Sequence, residues 1–522
     1  MIKRIAAALL LGSLAFGSPA MAQSRNLTLA LAGTVTAIDP HFHNLIPNNN
    51  IADHIFDKLA GFDATGKLQP RLATEWRRVD PLTWEFKLRP GVVFHDGSPL
   101  TAADVVFSIG RVSTVPNSPG PFTPYIRGVT AEAADDMTVR LRTPAPNALL
   151  PFDLSTIFIV SKKAAEGAST EDFNGGKAAI GTGPFKYSAF ARGESVTLER
   201  NDRYWGEKPA WERATFRMIP KAPSRIAGLL AGDVDVIEAV PTSDVENLKR
   251  EARFQVLSAP STRLIYVFFD QERDESPFVA GPNGEKLGKN PLKDVRVRRA
   301  MSMAVDRDAI RTRLMGGYSV PAGQFVPEGV SGHVKGLGPD KLDIEGAKKL
   351  LAEAGYPDGF SLTLHGSNDR YVNDGQILQA LASMWRRIGV KTAVEVMPFA
   401  TMATQVRGRA VSAYMVGLAA VTGDATAQLR SLAMTFNQQR GTGVLNYARF
   451  SDPKIDAAVE RAFSANTEEE RLAAVEEATR SAMSQQVLLP VHFQVTTWGA
   501  RAGLAVTPRV DEYTMAHEIR PQ

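Results

Sequence analysis

Cysteine is absent from all 522 residues. That absence excludes disulfides, a Cys-anchored lipoprotein, a thiol nucleophile and a zinc–thiolate site. Beyond the N-terminal segment there is no run of ~20 apolar residues that would span a bilayer. An excess of one charge is also lacking. The formal net charge is +4, and Lys3 and Arg4 carry part of it. So small a balance gives no ground for nucleic acid or a membrane surface as a partner. Local catalytic signatures are missing too. There is no Gly-x-Ser-x-Gly elbow, and His517-Glu518 runs into Ile519-Arg520-Pro521, which lacks the second histidine of a zinc-protease helix. Gly61 to Lys67 has the spacing of a phosphate loop, but Leu68 stands where a hydroxyl is needed, so the stretch reads as a polar hairpin turn.

What is present is the composition of a soluble globular protein, 44% hydrophobic and 22% charged. The length exceeds one ordinary core, so at least two lobes are expected. The first residues read as a secretory signal: Lys3-Arg4 is the basic region, Ile5 to Phe16 the apolar region and Ala20-Met21-Ala22 the cleavage site. The mature chain is expected to begin at Gln23 in the Gram-negative periplasm, as a monomer.

Period-two runs predict strands at Arg25–Ala32, Trp84–Leu88, Thr138–Arg142, Ser195–Arg200, 266–270, 360–364, 390–396 and 487–493. Helical spacing follows Asn48-Asn49-Asn50, and Thr101 with Asp104 predicts a capped helix. Further helices are predicted at 225–230, 294–315 with solvated Arg296, Arg298 and Arg299, 343–354, 378–388, and 452 to about 486. The stretch 271–290 reads as a surface loop. Alternating strands and helices in the C-terminal half argue for an α/β lobe.

The chain is organised around Gly181 to Trp211. Gly181-Thr182-Gly183-Pro184-Phe185 makes a turn, with the glycines expected to supply positive φ; Glu199-Arg200-Asn201 and Tyr204-Trp205 follow, then Pro209. Together with Leu72-Ala73 after Pro70, with Trp84 through Phe94-His95-Asp96-Gly97, and with Asp294-Val295-Arg296-Val297-Arg298, this pattern resembles the periplasmic solute-binding proteins of peptide and nickel ABC importers, solute-binding protein family 5. The likeness covers nearly the whole mature chain. It implies an α/β, two-lobed binding protein with an additional subdomain, the lobes joined by two hinge strands placed at 266–270 and 487–493. The expected organisation is lobe I at 23–60, 180–266 and 491–522, the extra subdomain at 61–179, and lobe II at 267–490. It implies ligand capture between closing lobes, delivery to an inner-membrane permease, no cofactor and no catalysis. Family members bind peptides, nickel chelates, haem, oligosaccharides and opines.

Within that resemblance, Tyr414 to Leu429 is the stretch that bears on the ligand. Oligopeptide binders carry a Gly-Trp pair here, and an Asp three residues on that holds the peptide amino group. Aligning Gly417 with that Gly puts Leu418 at the Trp and Val421 at the Asp, so the carboxylate is absent in this register. Asp424, beside Thr422 and Gly423, is the substitute anchor, with a simple turn residue as the plain alternative. Trp498, after the second hinge strand, and Tyr125 and Arg127 on the subdomain are further ligand candidates. His41 and His43 form the one histidine cluster with His54 nearby; a metal role lacks a third ligand at fixed spacing, and loop histidines at the cleft mouth are the plain reading. The expected ligand is a peptide-like solute. The alternatives are a non-peptide solute (an opine, a small anionic or apolar compound, a metal chelate) and, from another class, a periplasmic hydrolase.

Overall fold

The computed structural model describes residues 25–522. The signal-peptide and cleavage-site expectations lie outside these residues. Strand Asn26–Leu31 alternates Leu27, Leu29 and Leu31 into a buried core and lies parallel between Arg213–Met218 and Val236–Glu238. Ser195–Arg200 and Phe185–Ala191 extend that side antiparallel. Val236–Glu238 pairs with Leu489–Arg501, which pairs in turn with the 16-residue strand Phe254–Phe269. Beyond these, Ala413–Ala419, Phe360–Ser367 and Val390–Met397 complete a second half, with helices such as Asp374–Arg386 packed against it. All belong to one 12-stranded sheet.

Two lobes result because the two long strands feed different cores at their two ends. Ala259, Trp498 and Ala500 pack with Leu27, Leu29 and Phe216. Ile265, Val267, Leu489 and Val491 pack with Trp385 and Leu378. The change falls where the pairing slips, between Pro260 and Leu264. Of the hinge strands expected at 266–270 and 487–493, Tyr266, Phe268, Leu489 and Val491 pack in the cores of lobe II, and a second slip falls between Ile265 and Tyr266 at the edge of the first. The extra subdomain is a four-stranded antiparallel sheet of Ala73–Asp80, Thr83–Leu88, Thr138–Arg142 and Thr130–Asp135. Helix Ala102–Val112 covers it, and Phe86, Val105, Ile109, Val139 and Leu141 share its core. Thr101 and Asp104 form the anticipated capping box.

Several local expectations change. Asn48, Asn49 and Asn50 lie inside helix Ile46–Ile55, started by Pro47, rather than before it. The helix expected over 294–315 breaks after Met303 and resumes at Arg307–Ala309 and Ile310–Leu314. Arg298 is buried, not solvated: its guanidinium donates to the carbonyls of Leu292, Gln485 and Gln486 at 2.8, 2.7 and 3.0 Å. The long helical region after Asp452 is a hairpin of Pro453–Ser464 and Glu468–Ser484. Gly181 and Gly183 have ordinary φ. They are needed for close approach: a Cβ on Gly181 would overlap the Ile55 carbonyl oxygen, and one on Gly183 would sit 2.6 Å from that of His54.

Replacing Gly181 with Ala is therefore expected to cost ~1–3 kcal/mol, as overpacking does. Gly110→Ala, in an open helical position with nothing within 4 Å, should be neutral or stabilising by ~0.5–1 kcal/mol. Thermal melts of the two variants check both signs. Burial also pulls His41, His54, His95 and His492 down to about 4 from an ordinary 6.5. A depressed folded pKa means the unfolded chain binds the extra protons. The stability these residues contribute is present above pH 6.5 and is lost as pH falls toward 4. The melting temperature should drop across that window, and a flat profile would contradict the buried neutral state.

Candidate functional site

The cleft lies where the two lobes and the subdomain meet. Two adjoining cavities share Asn44, Ile46 and Asn49 from lobe I and Ala419, Ala420 and Val421 from lobe II. They hold about 1000 and 920 Å³ of non-atom space, counting their open mouths. Asn44 and Asn49 reach it because helix Ile46–Ile55 starts at its wall. Asn49 Nδ2 donates to Asn44 Oδ1 at 2.8 Å, and Asn44 Nδ2 donates to the Tyr125 hydroxyl at 3.3 Å. Residues 419–421 reach it as the end of strand Ala413–Ala419.

Most charges lining the cleft are already compensated. Arg263 grips Glu512 with two bonds of 3.0 and 2.8 Å. Lys58 pairs with Asp53 at 2.8 Å, and Arg509 with Asp511 and Glu518 at 2.6 and 2.7 Å. Asp57 has no cation within 4.0 Å among the described residues; it accepts from Thr182 Oγ1 and Trp205 Nε1 at 2.8 and 2.9 Å, burial raises its pKa, and the charge of Arg71 pulls it back down. Two guanidinium groups differ. Arg71 and Arg370 line the cavities without a carboxylate within 4.0 Å among the described residues. Arg370 instead lies over the rings of Phe399 and Tyr371, 5.5 and 6.0 Å from their centroids. Three buried polar atoms of lining residues also have no protein partner: Thr422 Oγ1, Gln428 Oε1 and His517 Nδ1. Such atoms are costly unless something else bonds them. The cleft therefore offers a solute two cations, one pure acceptor and several neutral hydrogen-bonding groups around apolar Ile46, Phe399 and Leu418.

The subdomain and lobe II are drawn together across the cleft. Ala148 N–H donates to the Phe463 carbonyl at 2.8 Å, and Arg78 donates to the Ala465 carbonyl and Asn466 Oδ1 at 2.9 and 2.7 Å. Phe62 lies against Gly423, where a Cβ would sit 2.6 Å from the ring; the φ of +61° there also favours glycine.

The sequence candidates divide. Leu418, Val421, Thr422, Gly423 and Tyr125 line the cleft. Arg127 lies further out, in a pocket that adjoins it through Tyr125. Asp424 does not reach it. Its carboxylate is fully buried, caps helix Ala425–Leu432 through Thr426 N–H at 2.7 Å and binds Arg471 at 2.6 Å. Asp424 is a structural ion-pair and capping residue, so the substitute-anchor reading is corrected. Trp498 is likewise buried, its Nε1 bonded to Thr514 Oγ1 at 2.9 Å inside lobe I. His41 and His43 face different partners. His41 sits between the Phe158 carbonyl and Arg111 at 2.8 and 3.1 Å, and His43 meets Thr36 Oγ1 at 3.0 Å. Neither lines the cleft, and no group of three or more potential metal-binding His, Cys, Asp or Glu side chains occurs among the described residues. Arg71, Arg370, Asn44, Asn49 and Gln428 were missed.

Residues 67–439 match the description Bacterial extracellular solute-binding proteins, family 5 Middle. The chain belongs to the bacterial extracellular solute-binding proteins, family 5. Within family 5, the chain is 27% identical to the glutathione-binding protein GsiB of Pectobacterium atrosepticum, over 86% of this chain and 84% of that one. It is 27% identical to heme-binding protein A of Haemophilus influenzae, over 90% and 86%. The periplasmic binding protein DppA of Helicobacter pylori, solved with the peptide STSA, shares the fold with a TM-score of 0.77 at 21% identity, over 95% of this chain and 98% of that one. Family 5 members act as substrate-binding components of ABC importers, which accords with a cleft between closing lobes. No helix among the described residues is long and apolar enough to cross a membrane.

Removing the Asp424 carboxylate leaves Arg471 buried with Glu468 as its one remaining carboxylate partner. Asp424→Ala is expected to cost on the order of 3 kcal/mol of stability. Chemical denaturation checks this, and a variant as stable as the parent would contradict the structural role.

Proposed function

We propose that this protein is the periplasmic substrate-binding component of an ABC importer and that its solute is peptide-like. The observation that carries the reading is the set of uncompensated groups in the cleft. Arg71 and Arg370 suit carboxylates, Gln428 Oε1 suits an N–H donor, and Thr422 Oγ1 can pair with either an amide N–H or a carbonyl. A short peptide or peptide conjugate supplies all three kinds of group. A glutathione-binding relative and a peptide-bound structural neighbour support this choice. Asp53 and Asp511 are already paired with cations and burial raises the pKa of Asp57, which argues against recognition through a free ammonium and favours acidic solutes. An opine or another small anionic compound is the second reading, on the same arginines.

The mechanism is gated binding. A solute that bonds groups from both lobes binds the closed arrangement better than the open one, and shifts the population by that difference alone. The closed protein then docks on an inner-membrane permease. The chain works as a monomer, enters the periplasm through a signal peptide cleaved after Ala22, and turns nothing over.

Native mass spectrometry of the purified protein, followed by denaturation, should release a small acidic peptide-like molecule. Arg370→Gln should weaken its binding about 10- to 100-fold, the loss of a charged hydrogen bond, with stability unchanged because Arg370 is exposed. Calorimetry reads the affinity. Release of a cationic solute, or an unaltered affinity in Arg370→Gln, would overturn the reading.

A further inference from the structure

A second pocket opens outside the cleft, on the seam between the subdomain and lobe II. Its walls include Arg127, Pro144 and Asn147 on the subdomain and Arg430, Arg440 and Phe463 on lobe II. It meets the cleft only through Tyr125. The charges there are unusual. Arg440 is taken up by Glu460. Arg127 and Arg430 have no carboxylate within 4.0 Å among the described residues. Yet the two converge from opposite sides of the seam. A Cβ on Gly441 would lie 3.6 Å from Arg127 Nε and 3.7 Å from Arg430 Nη2. Their separation is at most the sum of those distances, inside the ~8 Å over which physiological salt screens charge.

Arg430 is not a free surface side chain. It is half-buried, lies 5.1 Å from the Phe463 ring centroid, and its Nη2 makes one long bond of 3.4 Å to the Arg440 carbonyl. Burial lowers its pKa; Asp153 pushes it back up, and Arg127 and Arg440 push it further down. Asp153 is the nearby carboxylate, but burial raises it to about 7, and it spends one oxygen on Asn147 Nδ2 at 2.9 Å. Two like charges thus face each other across a boundary that also carries the Ala148–Phe463 hydrogen bond. Alone, they oppose closure.

We propose that Arg127 and Arg430 form an oxyanion subsite, for a carboxylate or phosphate group, whose occupancy ties the subdomain to lobe II in the closed protein. An oxyanion between two guanidinium groups accepts charge-assisted bonds from both and turns their repulsion into attraction. The anion has two possible sources: an acidic extension of the bound solute reaching past Tyr125, or a free inorganic anion acting beside it. The subsite does not depend on the solute's being a peptide.

The test titrates inorganic phosphate into the purified protein at low ionic strength, by calorimetry, for the parent, Arg127→Gln and Arg430→Gln. It then titrates the co-purified solute into each after stripping. Arg127 is exposed, so its variant should melt as the parent does without phosphate. With a free anion, phosphate binds one to one and both variants lose at least tenfold in affinity. With a solute extension, phosphate binds weakly or not at all, and solute affinity falls at least tenfold in Arg127→Gln while Arg127→Lys recovers part of it. If Arg127→Gln changes neither titration, the subsite is wrong. The phosphate arm uses no solute, so its result stands apart from the peptide reading.

Discussion

One constraint organises the molecule: the antiparallel pairing of Phe254–Phe269 with Leu489–Arg501. Among the described residues, these two strands are the only long elements that contribute side chains to both lobes. Their ends are locked by fully buried residues, Trp498 and Val236 on one side and Phe269 and Trp385 on the other. Between them the ladder slips at Pro260–Leu264, where Pro lacks an N–H to donate. A sheet that is continuous yet irregular at two neighbouring points, Pro260–Leu264 and Ile265–Tyr266, bends there more readily than through either packed core. Opening and closing of the cleft is the motion this arrangement leaves soft.

The same economy governs charge. Arginines are buried where carbonyls or carboxylates can bond them fully. Arg298 spends itself on backbone carbonyls, Arg471 on Asp424, Glu468 and Ser331, and Arg509 on Asp511 and Glu518. Against that background Arg71, Arg127, Arg370 and Arg430, which have neither a carboxylate nor a full set of carbonyls, stand out in the cleft and at the seam. A charge unpaired in a cleft is a recognition element because desolvating it is costly without a partner.

Much of the fold was legible in the sequence. Alternating Leu27, Leu29 and Leu31 and the Thr101–Asp104 box follow from local rules, and the structure keeps them. The family was legible from spaced landmarks. The site was harder. Leu418, Val421 and Thr422 were found through the resemblance, which marks the end of one strand as the stretch that meets the ligand. Asp424 was misjudged because its partner, Arg471, lies 47 residues away on another helix, and no local pattern announces that pairing. Arg71 and Arg370 escaped for the same reason: what marks them is the absence of a partner in space. Gly181 was recognised as special, but for the wrong cause, since close approach to another segment leaves no trace in its neighbours.

If the two lobes close on a solute about the Pro260–Leu264 slip, small-angle X-ray scattering detects it in the protein as purified and again after its solute has been stripped by unfolding and refolding. The radius of gyration should rise on stripping and fall again when the released solute is returned. A radius that stays the same through all three states, with the solute demonstrably leaving and rebinding, would contradict it.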